Sequence, residues 1–317
     1  MRPPDEDAVS SLLTVRDWLR HATSRFRAEG LQFGHGTTRA VDEAAFLILH
    51  TLSLPIDELD PWLDARLTIT ERRAIKDIIE RRISTRKPAP YITNQAWIGG
   101  VPFYVDERVI VPRPLIGELL VSGALDAALG RQAPVASILD LCTGSGCLAI
   151  LAAMVWPNAS VDAVDIDEGA LEVARRNVTN HDLESRVRLV KSDLFAGVDG
   201  RRYDLVIANP PYVNAAAIAA FPPEHRAEPI LAHAGGEDGL DIVHRIMAEA
   251  PVHLAPEGQL VLEVGTAREL METAYPRLAF VWLDTEETTG EVLLIAREGM
   301  LTLPPKARSG RGSRKGG

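Results

Sequence analysis

Two cysteines, Cys142 and Cys147, are all that 317 residues contain, and both stand in one apolar stretch. So small a supply excludes a disulfide framework and points to a reducing compartment, so a cytoplasmic location is expected. Long apolar runs are missing too: none approaches the roughly 18 residues that a membrane helix needs. The opening "MRPPDEDAVSS" lacks the basic and apolar regions of a secretory leader, and no membrane association is expected. Positive charge is short, with 34 Lys and Arg against 44 Asp and Glu, a net charge of −10. Broad non-specific binding of nucleic acid depends on a basic surface, so this balance argues against it and favours a basic partner. The exception is "PPKARSGRGSRKGG", where Lys306, Arg308, Arg311, Arg314 and Lys315 sit among Gly, Ser and Pro. That composition predicts a disordered basic tail over 304–317, for which weak RNA contact and a neutral solvated role both stay open.

What is present is core-forming material, 46% of the residues, enough for two globular units. Residues 1–88 read as a small helical domain. "VSSLLTVRDWLRHATSRF" puts Leu12, Val15, Leu19 and Ala22 on one face, and Asp42 and Thr70 stand where helix N-caps are expected. Residues 89–113 read as a β-hairpin linker, with alternating aromatic and β-branched residues on either side of Gly99 and Gly100. From 114 to 303 helices alternate with the short apolar runs "ASILDL", "SVDAVD", "VRLVKS", "YDLVIAN", "GQLVLEV", "LAFVWLD" and "EVLLIAR". Strands separated by helices predict an α/β fold with a mostly parallel, doubly wound sheet. The last two, separated only by "TEETTG", are expected to pair antiparallel. A seven-stranded sheet ending this way resembles the Rossmann-like sheet of S-adenosylmethionine-dependent methyltransferases. No internal repeat is visible.

Ligands of open α/β sheets bind beyond the carboxyl ends of the strands, at the switch in strand order. The first strand runs into "DLCTGSGCLAI", where Asp140 precedes Thr143, Gly144, Ser145 and Gly146, so that backbone can approach a ligand over a helix N-terminus. Glycines of this kind also serve tight turns alone. The second strand ends at Asp165, 19 positions after Gly146, a spacing that suits an acceptor for ribose hydroxyls. Asp167, close by, suits the cap of the following helix. Asp193 ends the third strand and could take an adenine amino group, with Phe195 or Leu194 against the ring, or simply cap the next turn. A dinucleotide fingerprint is incomplete, since Cys142 holds its first glycine position and the third glycine is absent. Without a pyrophosphate cradle, S-adenosylmethionine fits better than NAD.

"IANPPYVN" ends the fourth strand. The side-chain carbonyl of Asn209 and the carbonyl of Pro210, stiffened by Pro211, can both aim at one NH₂ group. A planar amide or aryl nitrogen is a poor nucleophile because its lone pair is delocalised. Two acceptors on its hydrogens favour pyramidalisation and stabilise the positive charge that develops. Tyr212 is placed to wall the slot and exclude water. His35 reads as a packing or turn residue, and Glu263 equally as a loop-ordering carboxylate or a substrate contact. Cys142 and Cys147 read as small buried hydrophobes. No metal site is expected.

These residues resemble the protein-glutamine methyltransferases, which modify the side-chain amide nitrogen of glutamine. The resemblance spans nearly the whole chain, through "FYVDERVIVPRP", "DLCTGSGC", "AVDID", "SDLF", "NPPY" and "EPILAHAGGEDGL". It implies that Asn209 and Pro210 bind the target amide, that Tyr212 shapes its slot, and that Asp140, Gly144, Asp165 and Asp193 line the cofactor pocket. One branch of the family acts on translation release factors and another on the large-subunit ribosomal protein L-three. The chain departs from the release-factor pattern at "PRPLIGELL" and at Cys142, and "FGHGT", "YITNQAWIGG" and "FYVDERV" look like the ribosomal-protein branch. A basic ribosomal protein is therefore the expected substrate, with a release factor second and adenine N6 in nucleic acid third. Oligomeric state is not legible.

Overall fold

The helical period through residues 8–26 breaks at Thr14. The Thr14 hydroxyl accepts from the Asp17 N–H while the Asp17 carboxylate accepts from the Thr14 N–H, a reciprocal capping pair. The chain therefore makes two helices, α1 (Pro4–Ser11) and α2 (Val15–Ala28). The computed structural model describes residues 4–285 and 288–301. The basic tail expected over 304–317 lies outside the described residues.

Helices α3 (Ala40–Thr51), α4 (Ile69–Thr85) and α5 (Ala89–Thr93) follow. Asp42 and Thr70 are not their caps. Arg39 holds the N-cap of α3 without a side-chain bond, and Thr68 caps α4 through a second reciprocal pair, with Glu71. Apolar periodicity marks the packed face of a helix, but the cap depends on where the incoming chain turns, which is two or three residues earlier here. Trp18, Phe26, Leu47, Ile48, Ile75 and Ile79 are buried together among α2, α3 and α4. The linker forms β1 (Ala96–Ile98) and β2 (Val101–Phe103), antiparallel across Gly99 and Gly100 at φ 54° and 81°. Two left-handed residues give the turn whose twist matches the strands.

Helices α6 (Leu115–Val121) and α7 (Ala124–Leu129) lead into β3 (Ser137–Leu141), α8 (Cys147–Val155), β4 (Ser160–Asp165), α9 (Glu168–Asn180), β5 (Val187–Lys191) and β6 (Tyr203–Ala208). After the short α10 (Ala215–Ala219) come α11 (Asp241–His253), β7 (Leu254–Glu263), α12 (Arg268–Ala274), β8 (Val281–Leu283), β9 (Val292–Ala296) and α13 (Arg297–Met300). The sheet order is β5-β4-β3-β6-β7-β9-β8. Its first five strands are parallel, and β9 runs antiparallel to both β7 and β8. This is an α/β, Rossmann-like methyltransferase sheet. Neighbouring residues of one strand enter opposite layers, as the pleat requires. Ile138, Leu205 and Val261 pack toward α6 and α8, whereas Leu139, Val206 and Leu260 pack toward α11. The order reverses between β3 and β6, so a crevice opens there beyond the carboxyl ends.

Two clamps join the helical bundle and linker to the sheet. Asn177 on α9 accepts from the Tyr104 N–H at 2.7 Å and donates to the Tyr104 and Ser145 carbonyls at 2.9 and 2.8 Å. Glu224, buried in the connection from β6 to α11, accepts from the Gln32 N–H at 3.1 Å and pairs with Arg86 at 2.7 Å. Among the described residues no helix is long and apolar enough to cross a membrane.

Candidate active site

A cavity of about 210 Å³ lies beyond the carboxyl ends of β3, β4, β5 and β6. Its walls include Cys142 and Gly144 after β3, Asp165 and Ile166 after β4, Asp193 and Leu194 after β5, and Asn209 after β6. The turn after β3 uses left-handed backbone at Cys142, Gly144 and Gly146, with φ of 56°, 55° and 80°. At Gly144 open space lies beyond the missing side chain, whereas a Cβ on Gly146 would stand 3.1 Å from the Cβ of Ala174. Gly146 thus serves the packing of the turn on α9, behind the cavity wall. Cys142 lines the cavity and Cys147 is buried in the core, and burial pushes both thiols up.

Asp165 is tied in place by the backbone it serves. Its Oδ2 accepts from the Gly144 N–H at 2.9 Å and its Oδ1 from the Asp167 N–H at 3.0 Å. Burial pushes its pKa up. Asp167 caps α9 by accepting from the Gly169 N–H at 2.6 Å. Asp193 makes no capping bond. It accepts instead from Arg245 at 2.9 Å, and both residues line the cavity. Of the two candidates for an apolar ring contact, Leu194 faces the cavity. Phe195 is buried away from it, stacked on His253 at 4.6 Å, because the turn at Leu194, with φ 49°, sends successive side chains to opposite sides.

Asp140 and Thr143 lie beneath the turn, not in the wall. Asp140 Oδ2 accepts from the Thr143 hydroxyl at 2.5 Å and the Ala149 N–H at 3.1 Å, and its Oδ1 has no partner among the described residues. Complete burial pushes this carboxyl up to about 7. A buried acceptor without a donor costs about 1–3 kcal/mol, so the spare oxygen suits a ligand with a cationic group at the turn. A carboxyl raised in the fold contributes stability that is complete below its ordinary value of 3.8 and lost as pH rises through about 7. Asp140→Asn removes that dependence. The melting temperature of the ligand-free variant is expected to gain on wild type between pH 5 and pH 8, and a constant difference across that range would exclude the assignment.

A second cavity, of about 230 Å³, shares Ile110, Asn209 and Ala232 with the first. Pro210, Tyr212 and Glu263 also line it, together with Arg113, His225 and His233. The Tyr212 hydroxyl donates to Glu263 Oε1 at 3.2 Å, and Glu263 Oε2 accepts from the Ile116 N–H at 3.4 Å. Glu263, at the end of β7, therefore orders the tyrosine and the start of α6 while facing the slot. Burial pushes it up to about 7. The segment after Pro211 is braced by a second strand of loop, with the Val213 N–H on the His233 carbonyl at 2.9 Å and the Gly235 N–H on the Val213 carbonyl at 3.0 Å. A Cβ on Gly235 would stand 2.8 Å from Tyr212 Cα, so only glycine allows that approach.

The structure therefore gathers Gly144, Asp165, Asp193 and Asn209 around one space, and Asn209, Pro210 and Tyr212 around the next. Arg113, His225, His233 and Glu228 have no role that sequence reasoning assigned. For Arg113, Glu228 and His233 the signal lay in "VPRP" and "EPILAHA", where an Arg and a Glu stand in otherwise apolar surroundings, since buried charges are found in pairs; His225 lies outside both stretches.

A family model described as methyltransferase small domain matches residues 119–221. The chain is 53% identical over 290 residues to the ribosomal protein uL3 glutamine methyltransferase of Bradyrhizobium diazoefficiens, covering 90% of this chain and 91% of that protein. It is 50% identical over 291 residues to the protein of the same name from Bordetella pertussis, covering 92% and 97%. A third, from Burkholderia pseudomallei, is 53% identical over 289 residues, covering 89% and 94%.

Proposed function

This chain belongs to the ribosomal protein uL3 glutamine methyltransferase family, and on that footing we propose that it methylates a glutamine side-chain amide of uL3 at the slot formed by Asn209, Pro210 and Tyr212. It is a methyltransferase, and S-adenosylmethionine, when bound, supplies an electrophilic methyl group on a sulfonium. The observation that carries the reading is the position of Asn209 at the end of β6, the polar one of the three residues common to both cavities. A group there touches whatever passes between the two spaces.

The Asn209 and Pro210 carbonyls accept from the two amide hydrogens, hold the nitrogen toward the first cavity, and stabilise the charge that grows on it. Tyr212 closes one side of the slot, held by Glu263. Asp165 takes the ribose hydroxyls and Asp193 the adenine amino group, with Leu194 beside the ring. Gly144 leaves room for close approach, while Asp140, Thr143 and Gly146 support the turn from behind the cavity wall. The helical part, 1–88, and the hairpin linker, 89–113, serve as the substrate-recognition side, and 114–303 as the methyltransferase domain. Support for that division comes from Glu224, which fastens the loop around the slot to the helical bundle. A net charge of −10 suits a basic ribosomal protein as partner, and the cytoplasm is where the two would meet.

Asp165→Ala is expected to weaken the cofactor roughly tenfold to a hundredfold, the worth of a hydrogen bond to a charged group. Turnover at saturating cofactor should remain. Unchanged affinity in calorimetry would remove Asp165 from the ribose site. The substrate is tested with labelled cofactor and a lysate from cells lacking this enzyme. A labelled band identified as uL3, with the methyl group on a glutamine, is expected. Label on a release factor or on nucleic acid alone would overturn the assignment.

A further inference from the structure

The slot holds more titratable groups than gripping an amide requires. His233 is buried, lines the slot, and brings Nε2 to 3.0 Å from Glu228 Oε2, a close contact whose N–H direction lies off the ideal line. Glu228 is itself buried. Its oxygens accept from Arg113 at 2.9 and 3.1 Å and from the Val111 N–H at 2.9 Å, and His35 Nε2 stands 3.6 Å away. Burial alone would raise the Glu228 carboxyl, but His233, His35 and Arg113 outweigh it and hold the group well below the usual carboxylate range. A permanent negative charge therefore backs the His233 ring on the side away from the slot.

The other groups facing this space are less suited to take a proton. The His225 ring packs on His35 at 4.4 Å and on Phe221 at 5.4 Å, and its Nδ1 is buried without a partner among the described residues. Burial, and then the neighbouring His35, push its pKa down. Glu263 also faces the slot, but its Oε1 already accepts from the Tyr212 hydroxyl and its Oε2 from the Ile116 N–H. Arg113 carries a fixed positive charge, and Asn209 and Pro210 offer carbonyl oxygens, which are weak bases. Ile110, Val213, Phe221 and Ala232 supply the apolar part of the lining.

We propose that His233 is the proton acceptor of the reaction, with Glu228 as its positioning residue, and that a neutral His233 ring turns Nδ1 to the amide. This rests on the amide-methylation reading given above. As the amide nitrogen bonds to the methyl carbon, the S–CH₃ bond breaks and its electron pair stays on sulfur. The nitrogen, now cationic, turns one N–H away from its carbonyl acceptor and gives that proton to His233 Nδ1. The products are a neutral N-methyl amide and an imidazolium held against the Glu228 carboxylate, and the imidazolium later releases its proton to solvent as the slot opens for product to leave. Glu228 favours the tautomer with Nε2 protonated, which leaves Nδ1 bare for this purpose.

The first test needs no cofactor. In the wild-type protein with ¹⁵N-labelled histidine, ring-nitrogen NMR shifts near neutral pH should show His233 protonated at Nε2 and bare at Nδ1. The opposite tautomer overturns the proposal. In the second, His233→Asn should lower kcat on uL3 roughly a hundredfold, the lower bound for general bases. KM and cofactor affinity should stay within about threefold, as expected when an interaction serves the transition state alone. The wild-type kcat should fall on the acid side, where a proton acceptor is lost, and the variant should lack that limb. A wild-type rate in His233→Asn, or a loss that appears at His225→Asn instead, overturns the relay. Should His233→Asn fold poorly, the tautomer and the wild-type pH profile still decide. A wild-type enzyme inactive on uL3 marks failure of the amide reading, and the relay falls with it. An active wild type beside an equally active His233→Asn marks failure of the relay alone.

Discussion

Asn209→Ala cuts turnover on uL3 by roughly a hundredfold or more while cofactor affinity stays within a few-fold of wild type, as expected for a preorganised acceptor aimed at developing charge. The two halves of this expectation come from different features. Asn209 sits at the boundary of the two cavities, so its carbonyl meets the nitrogen at the stage when it gains positive character. A loss of a hundredfold corresponds to about 2.7 kcal/mol, the strength of one well-aimed hydrogen bond in a site closed to water. Asn209 also lines the cavity proposed for the cofactor and was expected to touch it, but on the proposed reading most of the affinity rests on Asp165, Asp193, Leu194 and the turn around Gly144, which the substitution leaves alone. Single-turnover rates and calorimetric titration of the cofactor separate the two. Equal losses in both would show that Asn209 shapes the cofactor pocket and does not act on the amide. Asn209→Asp keeps an acceptor at the same position, and a smaller loss than in Asn209→Ala is expected there.

Glu228→Gln lowers the unfolding free energy by roughly 3–5 kcal/mol, the usual cost of removing one partner from a buried ion pair. In this protein Arg113 loses the negative charge it meets at 2.9 and 3.1 Å, and of the two oxygens shared by Arg113, the Val111 N–H and two imidazoles one becomes an NH₂ donor. Urea denaturation at neutral pH measures the effect. Acid supplies a further check. Because the folded carboxyl is held below its unfolded value of 4.5, its contribution is complete above that pH and declines as pH falls below it. The gap between wild type and Glu228→Gln should therefore narrow in acid. The cost belongs to an unpaired charge, so a double substitution, Arg113→Met with Glu228→Met, is expected to be milder than Glu228→Gln alone. A double variant less stable than the single one would place the stability in the local packing of these side chains.

The sequence by itself determined the features whose causes are local. The alternation in "SILDL" and "YDLVIA" marks two-sided strands, and the glycine pair at 99–100 permits only a tight hairpin. The strand-end positions of Asp165 and Asn209 put both at one edge of the sheet, because parallel strands share a direction and their carboxyl ends lie together. Two prolines after Asn209 rule out a helix there and leave a stiff frame. The caps of α3 and α4 escaped that reasoning because a cap depends on how the preceding chain arrives. Leu194 and Phe195 could not be told apart either, since one left-handed residue decides which of two neighbours faces the ligand space. Tertiary structure alone brought His35, Arg113, Glu228 and His233 to one carboxylate, from segments up to about two hundred residues apart. No periodicity records such a meeting. Side-chain charge is read from the sequence, but its partner, its burial and therefore its protonation state depend on which distant segments the fold packs against it.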